Sequence, residues 1–135
     1  MLDDNIENHP QIHEILCEKK GTPFCVMPVA GLQYYSYDDS DELIGKVRPK
    51  SGDRLQLIRQ PNNGEDPNAV EVWFRDSRFM LGHIPREFAQ FLAEDLDSGK
   101  NVRAYCVNSG NGGTWSVEIL LFHSEMHREL QKDLF

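Results

Sequence analysis

The residues best suited to recognising a ligand crowd into one stretch, RQPNNGEDPNAVEVWF, at positions 59 to 74. Asn62, Asn63, Asp66 and Asn68 place several amide and carboxylate oxygens close together. A carboxylate accepts hydrogen bonds and donates none, so Asp66 suits a hydroxyl and repels a phosphate. Asn62-Asn63-Gly64 tolerates positive φ, and Pro67 pushes Asp66 towards an extended backbone. Two readings stay open on composition alone. Asp66 and Asn68 satisfy amides of their own turn, or they receive something from outside. On composition alone the first is favoured, although the connection is longer than the roughly two to five residues that usually close a hairpin.

A second group lies in LGHIPREF. Arg86 falls in the first turn of an expected helix, where it can join free backbone amides to hold a phosphate. His83 adds positive charge mainly at lower pH, although a local hydrogen bond is the more ordinary account of it. Tyr34 and Trp115 are the aromatic residues with stacking potential; Tyr34 and its neighbour Tyr35, expected on a strand, face opposite sides, so one of them belongs to the core. Trp73, Phe74, Phe88 and Phe91 read as packing. His123 and His127 in HSEMH lack the Glu directly after the first His that the zincin pattern requires, so no metal site is expected. Cys106 has no C-x-x-C partner, which removes the zinc-deaminase pattern. With no nucleophile elbow, phosphate-cradling loop or paired carboxylates, the expectation is a binding protein without catalysis or cofactor.

The elements that must position these groups are mostly strands. Runs rich in Val, Ile, Leu and aromatics predict strands at 24–29, 55–58, 70–74, 79–84, 102–107 and 115–122, with GNGG (110–113) as a flexible hairpin tip. One helix interrupts them in PREFAQFLAEDLDSG. Pro85 suits its start, Phe88, Phe91, Leu92 and Leu96 form its apolar face, and Gly99 lies past its end. Short amphipathic helices are expected at both ends, one in an extension over 1–23 and one over 123–135, flanking a barrel domain at 24–122. Six short strands and a single inserted helix suggest a small β-barrel rather than a parallel α/β sheet.

The chain has 135 residues, 39% of them hydrophobic, which suits one domain with its own core. The opening MLDDNIENHP does not resemble a secretory signal, and no apolar run approaches the roughly 20 residues of a membrane span. Cys17, Cys25 and Cys106 are odd in number and scattered, so buried free thiols and a reducing, cytoplasmic setting are expected. The net charge of −8 disfavours a simple nucleic-acid binder. Its distribution is uneven, however: Lys46, Arg48, Lys50, Arg54 and Arg59 fall in one segment, while Asp38, Asp39, Asp41 and Glu42 form an acidic patch.

Taken together, VAGLQYYSY, the Asn-rich loop, LGHIPREFAQFLAEDL and TWSVEI resemble the HIRAN domain. The matching positions are Gly31, Tyr34 and Tyr35, then Arg59, Pro61, Asn62, Asn63, Asp66, Asn68 and Ala69, then Gly82, His83, Ile84 and Pro85, within about residues 26 to 122. The resemblance implies a modified OB-like β-barrel that grips the 3′ end of single-stranded DNA, a module of DNA repair and replication-fork processing. It implies that Asp66 accepts a hydrogen bond from the free 3′-hydroxyl and that Asn62 and Asn63 lie beside the terminal nucleotide. It further implies that Tyr34 and Trp115 pack on bases or sugar, and that His83 and Arg86 hold phosphate. Two positions depart from the pattern. Gln33 stands where DNA-binding relatives carry a basic residue, and Glu65 where they carry an aromatic. The alternative is a protein-interaction adaptor that keeps the barrel, with the terminal helices as docking or homodimer elements. A metal-dependent hydrolase using His123 and His127 is the remote third reading.

Overall fold

A computed structural model describes residues 24–110, 114–123, 125–127 and 130. Its elements run β1 (Phe24–Pro28), β2 (Ser40–Asp41), β3 (Gly45–Lys46), β4 (Arg54–Arg59), β5 (Val70–Phe74), β6 (Phe79–His83), α1 (Arg86–Asp97), β7 (Arg103–Ser109) and β8 (Val117–Phe122). Six strands form one antiparallel sheet in the order β1-β8-β7-β4-β5-β6, and β2 pairs with β3 as a separate small hairpin. The fold is mainly β, as the strand-rich pattern predicts.

The sheet curls back on itself. Ala30, just past β1, bridges to His83 at the end of β6. The Ala30 N–H donates to the His83 carbonyl at 2.8 Å and the His83 N–H donates back at 2.9 Å. The two outer strands therefore meet and close the half-barrel there, and the Ser36 N–H adds a bond to the Met80 carbonyl of β6 at 2.9 Å. Gly82 makes the approach possible, because a Cβ there would overlap the Ala30 carbonyl oxygen and lie 2.9 Å from a Val29 methyl carbon. A register shift between Val72 and Trp73, opposite Gly82, bends the β5–β6 pair towards the closure.

Alternation builds the core. Along β5, Val70, Val72 and Phe74 are buried while Glu71 and Trp73 are half-exposed. Val72, Leu81, Leu92 and Ile119 are fully buried and belong to one contiguous cluster. Each aliphatic side chain of this kind stabilises the fold by about 1.5–3 kcal/mol relative to exposure. Cys25 and Cys106 are buried free thiols. Burial, with Asp53 nearby, pushes the Cys106 thiol up to about 12, so it is protonated and inert at neutral pH.

The helix expected over PREFAQFLAEDLDSG is present as α1, with Pro85 at its N-cap. Gly99 adopts φ +86 past its end. Its inner face also carries a charge. Asp95 is 1% exposed; one carboxylate oxygen accepts from Lys100 Nζ at 3.1 Å and the other from the His127 N–H at 2.7 Å. This carboxylate ties the chain after β8 to α1, where Met126 and Leu130 are buried.

Several expectations need correction. Tyr34 and Tyr35 do not alternate on a strand: Leu32–Tyr34 is a 3-10 turn entered through Gly31 in a left-handed conformation, and both rings are exposed. The core aromatic of that segment is Tyr37, 1% exposed. The hairpin β2–β3 adds a strand pair that its short polar sequence did not signal. The strand expected from Trp115 begins at Val117. The helix expected over 1–23 lies outside the described residues, as does most of that over 123–135. His123 and residues 125–127 form a turn and irregular backbone, and His123 Nδ1 accepts from the Glu125 N–H. Of the expected hairpin tip, Gly110 is held by its N–H to Ser116, and 111–113 lie outside the described residues. Among the described residues, no helix is long and apolar enough to cross a membrane.

The β5–β6 turn carries conformational strain. Arg75, Asp76 and Ser77 all adopt positive φ, at 57°, 54° and 66°. Ser77 takes part through its backbone N–H, which donates to Gln56 Oε1 at 2.9 Å. Glycine keeps that bond and occupies the left-handed region freely. Ser77→Gly is therefore expected to raise unfolding free energy by about 0.5 kcal/mol, read as a higher urea midpoint at unchanged slope.

Candidate functional site

The loop from Gln60 to Ala69 is built from its own side chains. Asn63 Oδ1 accepts from the backbone N–H groups of Glu65 and Asp66 at 2.9 and 3.0 Å. Asp66 Oδ1 accepts from the Asn68 N–H at 2.9 Å, and the Ala69 N–H returns to the Asp66 carbonyl. The polar residues of this stretch thus close their own turn, as Asx side chains do. That leaves Asp66 with capacity to spare, since a carboxylate offers about four lone-pair positions.

Arg59 braces the loop. Its guanidinium donates to the Ala69 and Pro67 carbonyls at 2.9 and 3.1 Å. It also makes a two-pronged contact to Asp97 at the end of α1, at 2.9 and 3.1 Å. The bond from Arg59 holds the exposed Asp97 carboxyl below its usual range. A depressed carboxylate contributes stability above its ordinary pKa and loses that contribution as pH falls through the lowered value.

Around Asp66 the structure gathers four other expected residues. Asn63 forms the turn beneath it and Asn62 is exposed at its rim. Arg86 Nε lies 3.8 Å from Asp66 Oδ2, and an Arg86 terminal nitrogen donates to the Glu65 carbonyl at 3.1 Å. The Arg86 side chain is 74% exposed, so most of its donors face solvent. His83 sits beneath the loop, with both ring nitrogens engaged: Nε2 with Gln60 Oε1 at 3.1 Å and Nδ1 with the Tyr35 hydroxyl at 3.4 Å. The Tyr35 and His83 rings meet edge to face, 5.5 Å between centres.

Tyr34 and Gln33 lie on the neighbouring 3-10 turn, both exposed, Tyr34 at 76%. The Ala30–His83 closure brings that turn beside the loop. Trp115 belongs to a different contact, edge-on against Tyr37 at 5.3 Å, with 44% of its surface exposed.

Gln60 and Tyr35 complete the cluster, although neither stands out as a site residue in the sequence. Gln60 lies past the predicted strand 55–58 as one more polar residue, and its one signal is its place directly before Pro61. The basic segment from Lys46 to Arg59 does not form a free stripe. Lys46 Nζ donates to the Asp38 carbonyl, Arg48 pairs with Asp38, and the Arg54 guanidinium lies over the Tyr105 ring. The acidic patch is likewise partly neutralised, with Asp41 bonded to Arg78 at 3.1 Å. His127 pairs with Glu94 and packs on Phe91, while His123 caps a turn, so the two histidines have separate partners. No group of three or more potential metal ligands occurs among the described residues.

Comparison with known proteins places this arrangement. The HIRAN domain family model matches residues 24–121. A Fanconi-associated nuclease 1 homolog from Oryza sativa subsp. japonica is 38% identical over 53 residues, which span 38% of this chain and 6% of that much longer protein. The HIRAN domain of human HLTF superposes with a TM-score of 0.60 at 21% identity, covering 82% of this chain and 87% of that one. A structure of a protein from Lactobacillus plantarum gives a TM-score of 0.61, also at 21% identity, covering 76% and 97%. The two superpositions share the curled antiparallel fold, and the family match runs from β1 into β8, across the loop, the closure and α1. This chain belongs to the HIRAN domain family.

Proposed function

We propose that the chain is a non-catalytic module that binds the 3′ end of single-stranded DNA, in DNA repair or replication-fork processing. The observation that carries this reading is the Arg86 guanidinium, largely solvent-facing, 3.8 Å from the Asp66 carboxylate. Hydrogen bonds through Gln60 and His83 connect the Asp66 loop to the turn bearing the exposed Tyr34. Asp66 accepts the terminal hydroxyl, Asn62 and Asn63 shape the rim, Arg86 takes the adjacent phosphate, and Tyr34 stacks a base. Stacking is worth about 1–3 kcal/mol per base and tolerates any sequence. Gln33 offers a neutral amide to the same strand. In this reading His83 supports phosphate binding from beneath the loop, and Trp115 extends the stacking surface beyond Tyr37. The buried free thiols suit the reducing cytoplasm.

Titration into oligo-dT at low salt tests the proposal, because phosphate contacts weaken steeply with ionic strength. A strand with a free 3′-hydroxyl is expected to bind more tightly than the same strand with a 3′-phosphate. Asp66→Ala is expected to weaken hydroxyl-end binding roughly 10- to 100-fold, the range for a hydrogen bond to a charged group, and to erase the preference. Equal binding by the variant sinks the assignment.

The second reading is a protein-interaction adaptor on the same barrel. It is favoured by the net charge of −8 and by the exposed Glu65, a carboxylate on a loop residue whose backbone carbonyl accepts from Arg86. Flat titrations with every strand, together with a stable homodimer or a co-purifying protein, would select it.

A further inference from the structure

The loop and the aromatic turn are joined by a chain of hydrogen bonds whose polarity can be deduced from one end. The backbone N–H groups of Glu65 and Asp66 only donate, so the Asn63 atom facing them is its oxygen. Asn63 Nδ2 is thereby turned towards Gln60, 3.1 Å away. That nitrogen only donates as well, which makes the Gln60 atom its Oε1. The same Oε1 lies 3.1 Å from His83 Nε2, so Nε2 must carry a proton. In the neutral ring Nδ1 is then bare and accepts from the Tyr35 hydroxyl at 3.4 Å. Two backbone amides in one loop thus dictate the tautomer of a histidine on β6 and the direction of a tyrosine hydroxyl on the turn after β1.

We infer that Gln60 is the positioning residue of this site. Its single carbonyl oxygen receives both the Asn63 amide and the His83 imidazole, and so it links the Asp66 loop to the Tyr34–Tyr35 turn through side chains on both sides. Through Asn63 it sets the turn that aims Asp66, and through His83 it holds Tyr35 and the backbone that carries Tyr34. The coupling is a property of the free protein; its consequence for ligand selection rests on the DNA-end reading above.

The test compares wild type with Gln60→Leu, which removes the acceptor, and Gln60→Glu, which keeps an acceptor oxygen. Nitrogen-edited NMR of the free proteins reads the His83 Nε2 proton, and hydrogen exchange reads the Glu65 and Asp66 amides. In wild type the Nε2 proton should be observable. In Gln60→Leu it should vanish, and the two amides should exchange roughly fivefold faster, the equivalent of one lost hydrogen bond. Amides of β7 and β8 should not change, and Gln60→Glu should restore both signals. Unchanged amides and an unchanged Nε2 proton in Gln60→Leu would overturn the relay. For ligand selection, Gln60→Leu should lose the hydroxyl-over-phosphate preference and Gln60→Glu should keep it. A Gln60→Leu protein with wild-type preference would refute the positioning role. If wild type binds no DNA, the DNA-end reading fails, and the exchange data still decide whether the relay exists.

Discussion

Gly82→Ala is expected to lower the thermal midpoint by roughly 10 °C and to abolish binding at the site, although residue 82 touches no ligand in the proposed function. The added methyl group would occupy the space of the Ala30 carbonyl oxygen, a backbone atom that cannot swing aside as a side chain does. Either β6 or the 29–31 segment must retreat, and the two hydrogen bonds between Ala30 and His83 go with it. Overpacking of this kind costs about 1–3 kcal/mol and each lost bond about 1 kcal/mol, so a total near 3 kcal/mol is reasonable. For a domain of this size that corresponds to the midpoint shift given. Gly64→Ala supplies the control. It lies in the loop itself, yet an added Cβ there meets nothing within 4 Å, so its stability should stay within about 0.5 kcal/mol of wild type. Differential scanning calorimetry of both variants separates the two cases. Equal midpoints would mean that the barrel does not depend on its closure.

Asp95→Ala is expected to cost about 3 kcal/mol. Removing one partner of a buried ion pair typically costs about 3–5 kcal/mol. The low end applies here because the Lys100 side chain remains 29% exposed and can turn to water. The larger consequence is local. Without the carboxylate, the His127 N–H loses its acceptor and the segment bearing Met126 and Leu130 loses its anchor to α1. Hydrogen exchange should show protection falling first at Met126, His127 and Leu130, ahead of the sheet. Asp95→Asn keeps one acceptor oxygen and should retain part of that protection. Uniform loss across the whole domain, with no local excess at the C-terminal segment, would contradict the anchoring role.

Much of this was readable from the chain. Pro85, Gly99 and the spacing of Phe88, Leu92 and Leu96 mark α1 because they are local signals of a start, a stop and a face. The β5 alternation is equally local. The self-closing chemistry of Asn63 and Asp66 also follows from residue type, since short polar side chains reach their own backbone. What escaped the sequence depends on distant partners. Gly31 enters a 3-10 turn instead of extending β1, which exposes both Tyr34 and Tyr35 and sends Tyr37 inward. Gln60 is unremarkable until His83 and Asn63 arrive from either side. Asp95 is not singled out by the sequence, because the partners that stabilise its burial, Lys100 and the His127 amide, lie beyond the helix. The same limit applies to Arg59, which reads as part of a basic run and is spent on Asp97 and two loop carbonyls.

The sheet order has a consequence for synthesis on the ribosome. β1 is the first described strand to emerge, and its hydrogen-bonded neighbour is β8, the last. At roughly 5–20 residues per second, β1 waits several seconds for its partner. Throughout that interval the ladder between β4, β5 and β6 can assemble from neighbouring strands, while β1 presents open edges to other nascent chains. The Ala30–His83 bridge can offer β1 only a foothold at one end before β8 arrives. Stalled translation downstream of β7 is therefore the moment at which this chain is most exposed to misassembly, and a chaperone that shields a single extended strand near its start would serve it best.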